Sequence, residues 1–200
     1  MIANQIQQAR AQIQALRSAL DRHRFRGFCA PPRLISAALT MSVGLVLLKG
    51  GLAANPETHL WAWGTLCLLA GAINAGSLLY WFWHDDEVGR VWRRLSPVLD
   101  VLPPLLIGGV LSFALVAGGH FDYLFGVWMC LFGMANFNAR HMLAPGIAHV
   151  GIFYMISGIF CLILPVSFTN PLPMMGVFAI GELAGGLVLH FDQTRNLEDI

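Results

Sequence analysis

Six apolar segments, each about 20 residues long, constrain the fold of this chain more than any other feature of its sequence. A helix of about that length crosses the hydrocarbon core of a bilayer, and it satisfies its own backbone hydrogen bonds where water is absent. The sequence therefore predicts an all-α polytopic membrane protein, a bundle of six transmembrane helices. The predicted spans are residues 34–54, 60–83, 101–119, 121–140, 147–165 and 172–191.

The low charge content agrees with a lipid environment. Charged residues make up 12% of the 200 residues, whereas a soluble domain carries about 25%. The net charge of +1 provides no general attraction to nucleic acid, so no such partner is predicted. The four cysteines show no C-x-x-C spacing, and they predict neither a disulfide framework nor a zinc site.

The distribution of basic residues predicts the orientation of the bundle. With a cytoplasmic N-terminus, every Lys and Arg except Lys49 falls within or beside a cytoplasmic segment. These residues are Arg10, Arg17, Arg22, Arg24, Arg26, Arg33, Arg90, Arg93, Arg94, Arg140 and Arg195. The positive-inside bias predicts a protein of the cell inner membrane with both termini in the cytoplasm, including a tail at residues 192–200.

Residues 1–33 are predicted to form a cytoplasmic amphipathic helix that ends in a hinge at Gly27, Pro31 and Pro32. They contain no apolar core of a signal peptide, so we expect the first apolar segment to act as the insertion signal. An apolar stripe at heptad spacing comprises Ile2, Ile6, Ala9, Ile13, Leu16, Leu20 and His23. This stripe either pairs with a second copy in a homo-oligomer, or it lies on the membrane or the bundle with its arginines near anionic headgroups.

Glu182, in the middle of the sixth apolar segment, is the sharpest candidate for a functional residue, because ionisable groups inside a membrane are costly and rare. Its neighbours Gly181, Ala184, Gly185 and Gly186 are small, and they allow another helix to bring a hydrogen-bond donor close. One interpretation is a proton-linked or cation-linked site. The other is a carboxyl group that fastens two helices together.

Three asparagines and two histidines form a second group of candidates in the predicted cytoplasmic half of the bundle: Asn74, Asn136, Asn138, His141 and His149. Together with Glu182 they would line a polar vestibule open to the cytoplasm. Alternatively, the asparagines make separate interhelical hydrogen bonds, and the histidines lie at the membrane interface.

A weak internal repeat relates the second and fourth apolar segments. Both segments contain the pattern G-x6-G-x2-N. It is formed by Gly64, Gly71 and Asn74 in the second segment and by Gly126, Gly133 and Asn136 in the fourth. The two segments are predicted to run in the same direction, so this would be a parallel repeat and not the inverted kind found in many secondary transporters.

His84, Asp85 and Asp86, just after the second apolar segment, are weak candidates for metal ligands, because a single local run seldom completes a coordination shell. The alternative is that these acids pair with the arginines that follow on a short cytoplasmic helix. Those arginines, Arg90, Arg93 and Arg94, are candidates for contact with lipid headgroups or a partner. The sequence has no H-E-x-x-H, P-loop or G-x-S-x-G motif, and it indicates no particular cofactor.

Three stretches of the chain resemble a group of uncharacterised bacterial integral membrane proteins with an N-terminal amphipathic helix, a Gly/Pro hinge and six compact spans. They are IQQARAQIQALRSALDRHRF, GFCAPPRL and GVFAIGELAGGLVLHF. The resemblance covers nearly the whole chain. It implies the same six-span architecture, and it carries no established activity.

These observations favour a non-enzymatic regulatory or accessory protein that engages cytoplasmic partners or anionic lipid through its N-terminal helix and residues 84–100. A small transporter or channel that uses Glu182 is the second interpretation. The third is a metal-dependent, lipid-modifying enzyme. Its site would come from separate helices, with ligands drawn from His84, His141, His149, Glu182 and His190.

Overall fold

The computed structural model describes residues 30–49, 55–84, 99–141, 143–164 and 166–198, together with residues 7, 10, 12 and 13. Within these residues the chain is helical and contains no strand, so the predicted all-α fold class is confirmed. From residue 30 onward, the described residues form six α-helices, namely α1 (Pro31–Lys49), α2 (Pro56–His84), α3 (Leu102–Ala117), α4 (Leu124–Asn138), α5 (Ile147–Ile163) and α6 (Leu172–Glu198). Short 3₁₀ turns, Phe121–Tyr123 and Ala139–His141, flank α4.

Each predicted apolar segment overlaps one of these helices, and two of the boundaries differ in an informative way. Helix α1 begins at Pro31, so Pro31 and Pro32 belong to its first turn and not to a hinge. Proline is tolerated there because the first helical N–H groups have no partner within the helix. Helix α6 continues to Glu198, so most of the predicted tail at 192–200 extends the last helix.

The end of α3 shows how the chain turns between antiparallel helices. Gly119 has a backbone φ of +73°, an angle that residues other than glycine rarely adopt. The His120 N–H donates to the Leu115 carbonyl at 2.8 Å, and the Gly119 N–H donates to the Val116 carbonyl at 3.1 Å. This is a Schellman motif, which satisfies carbonyl groups that the helix leaves open.

Helices α4 and α5 are the most closely packed pair. Gly133 faces Gly151, and Gly126 faces Gly158, in an antiparallel arrangement. A Cβ atom added to Gly133 would lie 2.7 Å from the Gly151 carbonyl oxygen, and one added to Gly158 would lie 2.7 Å from that of Gly126. Backbones approach this closely only when small residues line both surfaces, as is common between helices in membranes.

The two ends of the bundle have different cores. The first, which we call the Phe168 end, contains a mainly aromatic cluster in which Trp63, Phe125 and Phe168 are almost fully buried. The opposite end, which we call the Arg33 end, contains Ala30 and Ile147 packed with neighbouring aliphatic residues. The N-terminal ends of α1 and α5 lie together at the Arg33 end, with the last turns of α6.

Large apolar side chains cover much of the outer surface. Phe113 is 78% exposed, Leu68 77% and Val110 70%. Soluble monomers rarely present apolar side chains so continuously, and such a surface suits lipid. Three helical stretches are long and apolar enough to cross a membrane, namely Pro31–Lys49, Pro56–His84 and Leu172–Asp192.

Candidate functional site: a buried Arg33–Glu182 cluster

Four helices contribute one polar side chain each to a buried cluster near the Arg33 end. Arg33 comes from the first turn of α1, Asn136 from the end of α4, Tyr154 from the middle of α5 and Glu182 from α6. Their exposed fractions are 7%, 4%, 0% and 4%. We call these four residues the Arg33–Glu182 cluster.

Glu182 accepts interactions from two sides of the cluster. The Arg33 Nη1 atom lies 3.6 Å from Glu182 Oε1, which is an ion pair without hydrogen-bond contact. The Tyr154 hydroxyl donates to the same oxygen at 3.1 Å, and it also lies 3.4 Å from the Phe178 carbonyl oxygen. The carboxyl group therefore joins α1 and α5 to α6.

The arginine is held on its other side by Asn136. Arg33 Nη2 donates to Asn136 Oδ1 at 2.5 Å, while Asn136 Nδ2 donates to the Phe132 carbonyl oxygen one turn back on α4 at 2.9 Å. Within the described part of the chain, Arg33 Nε and Nη1 have no hydrogen-bond acceptor. The guanidinium is thus closed off from solvent with only part of its donor capacity used.

Two glycines on α6 make room for the cluster. A Cβ atom on Gly185 would collide with the Arg33 Nη1 atom, and a Cβ atom on Gly181 would collide with the Tyr154 ring. The small residues beside Glu182 therefore admit the two donors that approach its carboxyl group. A larger side chain at either position would separate α6 from the helix that it contacts.

The remaining predicted asparagines make contacts elsewhere. Asn74 on α2 donates to the Ala70 carbonyl oxygen at 2.8 Å and lies 3.5 Å from the Ser36 hydroxyl, one turn beyond Arg33 on α1. Asn138 donates to the Asp100 carbonyl oxygen at 3.0 Å and connects the end of α4 to the start of α3. Of the sequence candidates, only Asn136 and Glu182 thus share a cluster within the described residues.

The predicted histidines are dispersed. His149 is exposed in the first turn of α5, and His190 is exposed on α6. His84 is exposed at the end of α2, where its ring stacks on Tyr80 with 4.1 Å between the ring centroids. His141 ends the 3₁₀ turn after α4, and its side chain lies outside the described part of the structure. Among the described residues, no three His, Cys, Asp or Glu side chains converge as metal ligands would.

Several sequence candidates fall outside the described residues. Arg10 is helical and exposed. The other predicted headgroup or partner contacts, Arg17, Arg22, Arg24, Arg26, Arg90, Arg93 and Arg94, lie outside, as do Asp85 and Asp86. The heptad stripe is described only at Ile13, which is 54% exposed. Its pairing or docking therefore stays a prediction.

Sequence analysis missed Arg33 and Tyr154 as members of the cluster. Arg33 was counted only as a cytoplasmic charge, because the first span was predicted to begin at residue 34. Tyr154 lies in an apolar segment, where a tyrosine resembles any other aromatic residue. One signal was present in the sequence. Glu182 with small neighbours requires a donor, and Arg33 is directly adjacent to the cytoplasmic end of the first apolar segment.

An open groove of about 470 Å³ lies between α1 and α2, away from this cluster. Its lining is predominantly apolar, with two threonine hydroxyls. The lining residues are Leu39, Val43, Thr58, Trp61, Ala62, Thr65, Leu66 and Leu69. None of the polar candidates from the sequence lines this groove.

The helical fold, the apolar outer surface and the three helices of spanning length define a membrane protein. The chain matches no protein-family model, no curated protein and no solved structure. The resemblance to six-span bacterial membrane proteins therefore stays a prediction, and function has to be argued from the residues themselves.

Proposed function

We propose that this chain is a non-enzymatic regulatory or accessory protein of the inner membrane, with six spans and both termini in the cytoplasm. The observation that supports it best is the state of Glu182, the strongest candidate for chemistry or transport. Glu182 is 4% exposed, and its carboxyl group is already in contact with Arg33 and Tyr154. A carboxyl group used in this way connects helices of the bundle, and it leaves the arginine-rich cytoplasmic segments to contact partners or anionic lipid.

The proposal is tested by removing the N-terminal segment without disturbing the cluster. Deletion of residues 2–29 retains Ala30 and Arg33, so the bundle keeps its polar contacts. Crosslinking in cells followed by affinity purification should recover fewer cytoplasmic partners than the full chain does. A second variant keeps the N-terminal segment at full length but removes its positive charge, by changing Arg10, Arg17, Arg22, Arg24 and Arg26 to Gln. It shows whether the charge, and not only the presence of the segment, is needed for partner binding. An unchanged set of partners in both variants would contradict the proposal.

A small transporter or channel is the second candidate, and the buried ion pair is the observation that favours it. Ionisable residues within spans often mark an ion or substrate pathway. Purified protein in liposomes would then pass an ion or solute, and Glu182→Gln would abolish the flux. Absence of any flux would remove this candidate. Elemental analysis for bound metal tests the third candidate, the lipid-modifying enzyme.

A further inference from the structure

Helix α2 is held against the bundle mainly through its first three turns. Among its described side chains only four are buried: His59, Trp63, Leu66 and Phe82. The first three follow helical 4,3 spacing on one face, near the Phe168 end. Between residues 67 and 80 the helix has no buried side chain. The position of the N-terminal part of α2 therefore depends on the packing contacts of His59 and Trp63.

The His59 imidazole is fully buried without any polar partner. Its exposed fraction is 0%, and among the described residues neither Nδ1 nor Nε2 has a hydrogen-bond partner. Trp63 Nε1, one turn further along α2, is also buried without a partner. Buried polar groups in proteins are nearly always hydrogen-bonded, so two adjacent exceptions require an explanation.

Phe168, in the connection between α5 and α6, covers this face of α2. Its ring centroid lies 6.2 Å from that of His59 and 4.7 Å from that of Phe125. The Phe168 backbone N–H donates to Asp122 Oδ1 at 2.8 Å, which fixes the connection to the turn before α4. The imidazole is thus enclosed by a ring that the rest of the bundle holds in place.

Within the described part of the chain, no charged group is in hydrogen-bond or ion-pair contact with the His59 imidazole. The titratable groups near the Phe168 end of the elements that meet here are Glu57 and Cys67 on α2, Lys49 at the end of α1, His120, Asp122 and Tyr123 in the turn before α4, and Cys161 on α5. The connection from residue 166 to residue 171 has none. Within the described residues, no hydrogen bond or ion pair joins any of these groups to the imidazole.

We propose that His59 is a pH-sensitive latch, which holds the N-terminal part of α2 against Phe168 while neutral and releases it when protonated. An unpaired charge cannot remain in a fully buried, apolar site without a large cost in free energy. The protonated ring therefore favours a position in which water or headgroups reach it. Movement of His59 carries Trp63 and Leu66 with it, because the three share one helical face.

The sign and size of the effect follow from proton linkage. Neutral His59 is required in the latched state, while the released state binds one more proton. The latch is therefore fully closed above the range in which histidine normally titrates. Below that range, the ratio of latched to released molecules falls about tenfold per pH unit. The compartment that supplies the proton depends on the proposed orientation, but the latch itself does not.

Spin-label distance measurements in nanodiscs test the latch. We would place labels at Glu57→Cys and Ser167→Cys, which flank His59 and Phe168, after changing the four native cysteines to serine. Both sites are exposed, so the labels leave the buried contacts in place. On acidification through the histidine range, the separation between the labels should lengthen and its distribution should broaden, reversibly.

Three variants decide whether His59 is responsible. His59→Phe keeps an aromatic ring against Phe168, and His59→Gln keeps a polar side chain; both should hold one separation at every pH. His120→Gln changes an exposed histidine at the same end and should retain the full response. The proposal is overturned if the chain with His59 shows no change with pH. It is equally overturned if the response survives in both His59 variants or disappears in His120→Gln.

Discussion

Arg33 and Glu182 have to be treated as one energetic unit, because each is buried and each is the other's counter-charge. Moving either charge out of water costs several kcal/mol, and the attraction within the pair offsets that cost only while both partners remain. Asn136 and Tyr154 contribute hydrogen bonds to opposite sides of the pair. The pair therefore makes the four helices interdependent, although it does not by itself guarantee high stability.

Removing one member of the pair should be far more damaging than removing both. Glu182→Met leaves the Arg33 guanidinium buried and unpaired, and we expect it to lower the free energy of unfolding by about 3–5 kcal/mol. The double variant Arg33→Met with Glu182→Met should recover most of this loss, since apolar side chains of similar length fill the space. Unfolding of purified protein in mixed micelles, followed by circular dichroism, measures each value.

Asn138→Ala is the matched control for this cycle, because Asn138 lies on the same helix as Asn136 but outside the cluster. It should change the stability little. If the effects of Arg33→Met and Glu182→Met, each measured alone, simply add in the double variant, then Arg33 and Glu182 are not coupled and the cluster does not work as a unit.

Tyr154→Phe should have a smaller effect, because the ring remains and only the hydroxyl is lost. Deleting a hydrogen bond to Glu182 should lower the free energy of unfolding by about 1 kcal/mol, or by up to about 3 kcal/mol if the carboxylate is left underbonded. The same unfolding measurement applies. Tyr123→Phe, at a tyrosine that is 41% exposed, should lie within about 0.5 kcal/mol of the unchanged protein. Equal losses in both variants would argue against a role for the Tyr154 hydroxyl.

At the level of residues, the sequence is sufficient to identify a functional candidate such as Glu182, whose residue type is rare in an apolar segment. Glu182 is conspicuous because it is a carboxylic acid in an apolar segment, and its glycine neighbours indicated a close approach. Arg33 and Tyr154 could not be assigned to it in the same way, because their contacts connect residues that are far apart in the chain. The same limit explains why Asn74 and Asn136, alike in sequence context, have different partners.

At the level of helices, the G-x6-G-x2-N pattern occurs in two different environments. Gly126 and Gly133 on α4 are in contact with α5, so that added Cβ atoms would overlap backbone or side-chain atoms. The matching Gly64 and Gly71 on α2 have no heavy atom within 4 Å of an added Cβ. A periodic pattern can therefore indicate a surface suited to close packing, but not whether a neighbour occupies it.

Alanine substitutions at the matched glycines should separate these environments. Gly133→Ala places a Cβ atom 2.7 Å from the Gly151 carbonyl oxygen, so α4 and α5 must move apart. We expect a loss of about 1–3 kcal/mol in the free energy of unfolding. Gly71→Ala meets nothing and reduces backbone entropy in the unfolded chain, so it should be neutral or stabilising by up to about 1 kcal/mol. A destabilising Gly71→Ala would mean that this face of α2 is occupied.

Each of the six predicted apolar segments overlaps a helix in the described part of the chain, but the ends of several helices differ from the prediction. The ends of α1 and α6 differ from the prediction because hydropathy marks where apolar sequence stops, whereas a helix stops where its backbone is capped. Pro31 and Pro32 begin α1 inside what had been predicted as a hinge. The polar residues after His190 continue α6 because no glycine or proline ends it before Glu198.

At the scale of the whole molecule, the two ends of the bundle differ in chemistry. Arg33 and Arg140 lie at the Arg33 end, where the Arg140 guanidinium sits 3.9 Å above the Phe137 ring. The Phe168 end is dominated by aromatic rings, with Lys49 as the basic residue described there. This asymmetry is the positive-inside pattern expressed in three dimensions, and it supports the proposal that the Arg33 end faces the cytoplasm.

Single-cysteine labelling provides the decisive test of that orientation. In a chain with the four native cysteines changed to serine, Ser167→Cys reports on the Phe168 end and Thr194→Cys on the Arg33 end, and both positions are exposed. A membrane-impermeant maleimide should label Ser167→Cys in intact spheroplasts, while Thr194→Cys and Arg93→Cys should react only after permeabilisation.

With six spans, the connections at residues 84–100 and 164–171 must lie on opposite sides of the membrane, since three helices separate them. Reaction of Arg93→Cys and Ser167→Cys from one compartment would mean that one of the helices α3, α4 or α5 does not cross the bilayer. The arginines could not then all be on one side, and the argument that assigns the N-terminal segment to cytoplasmic partners would lose its basis.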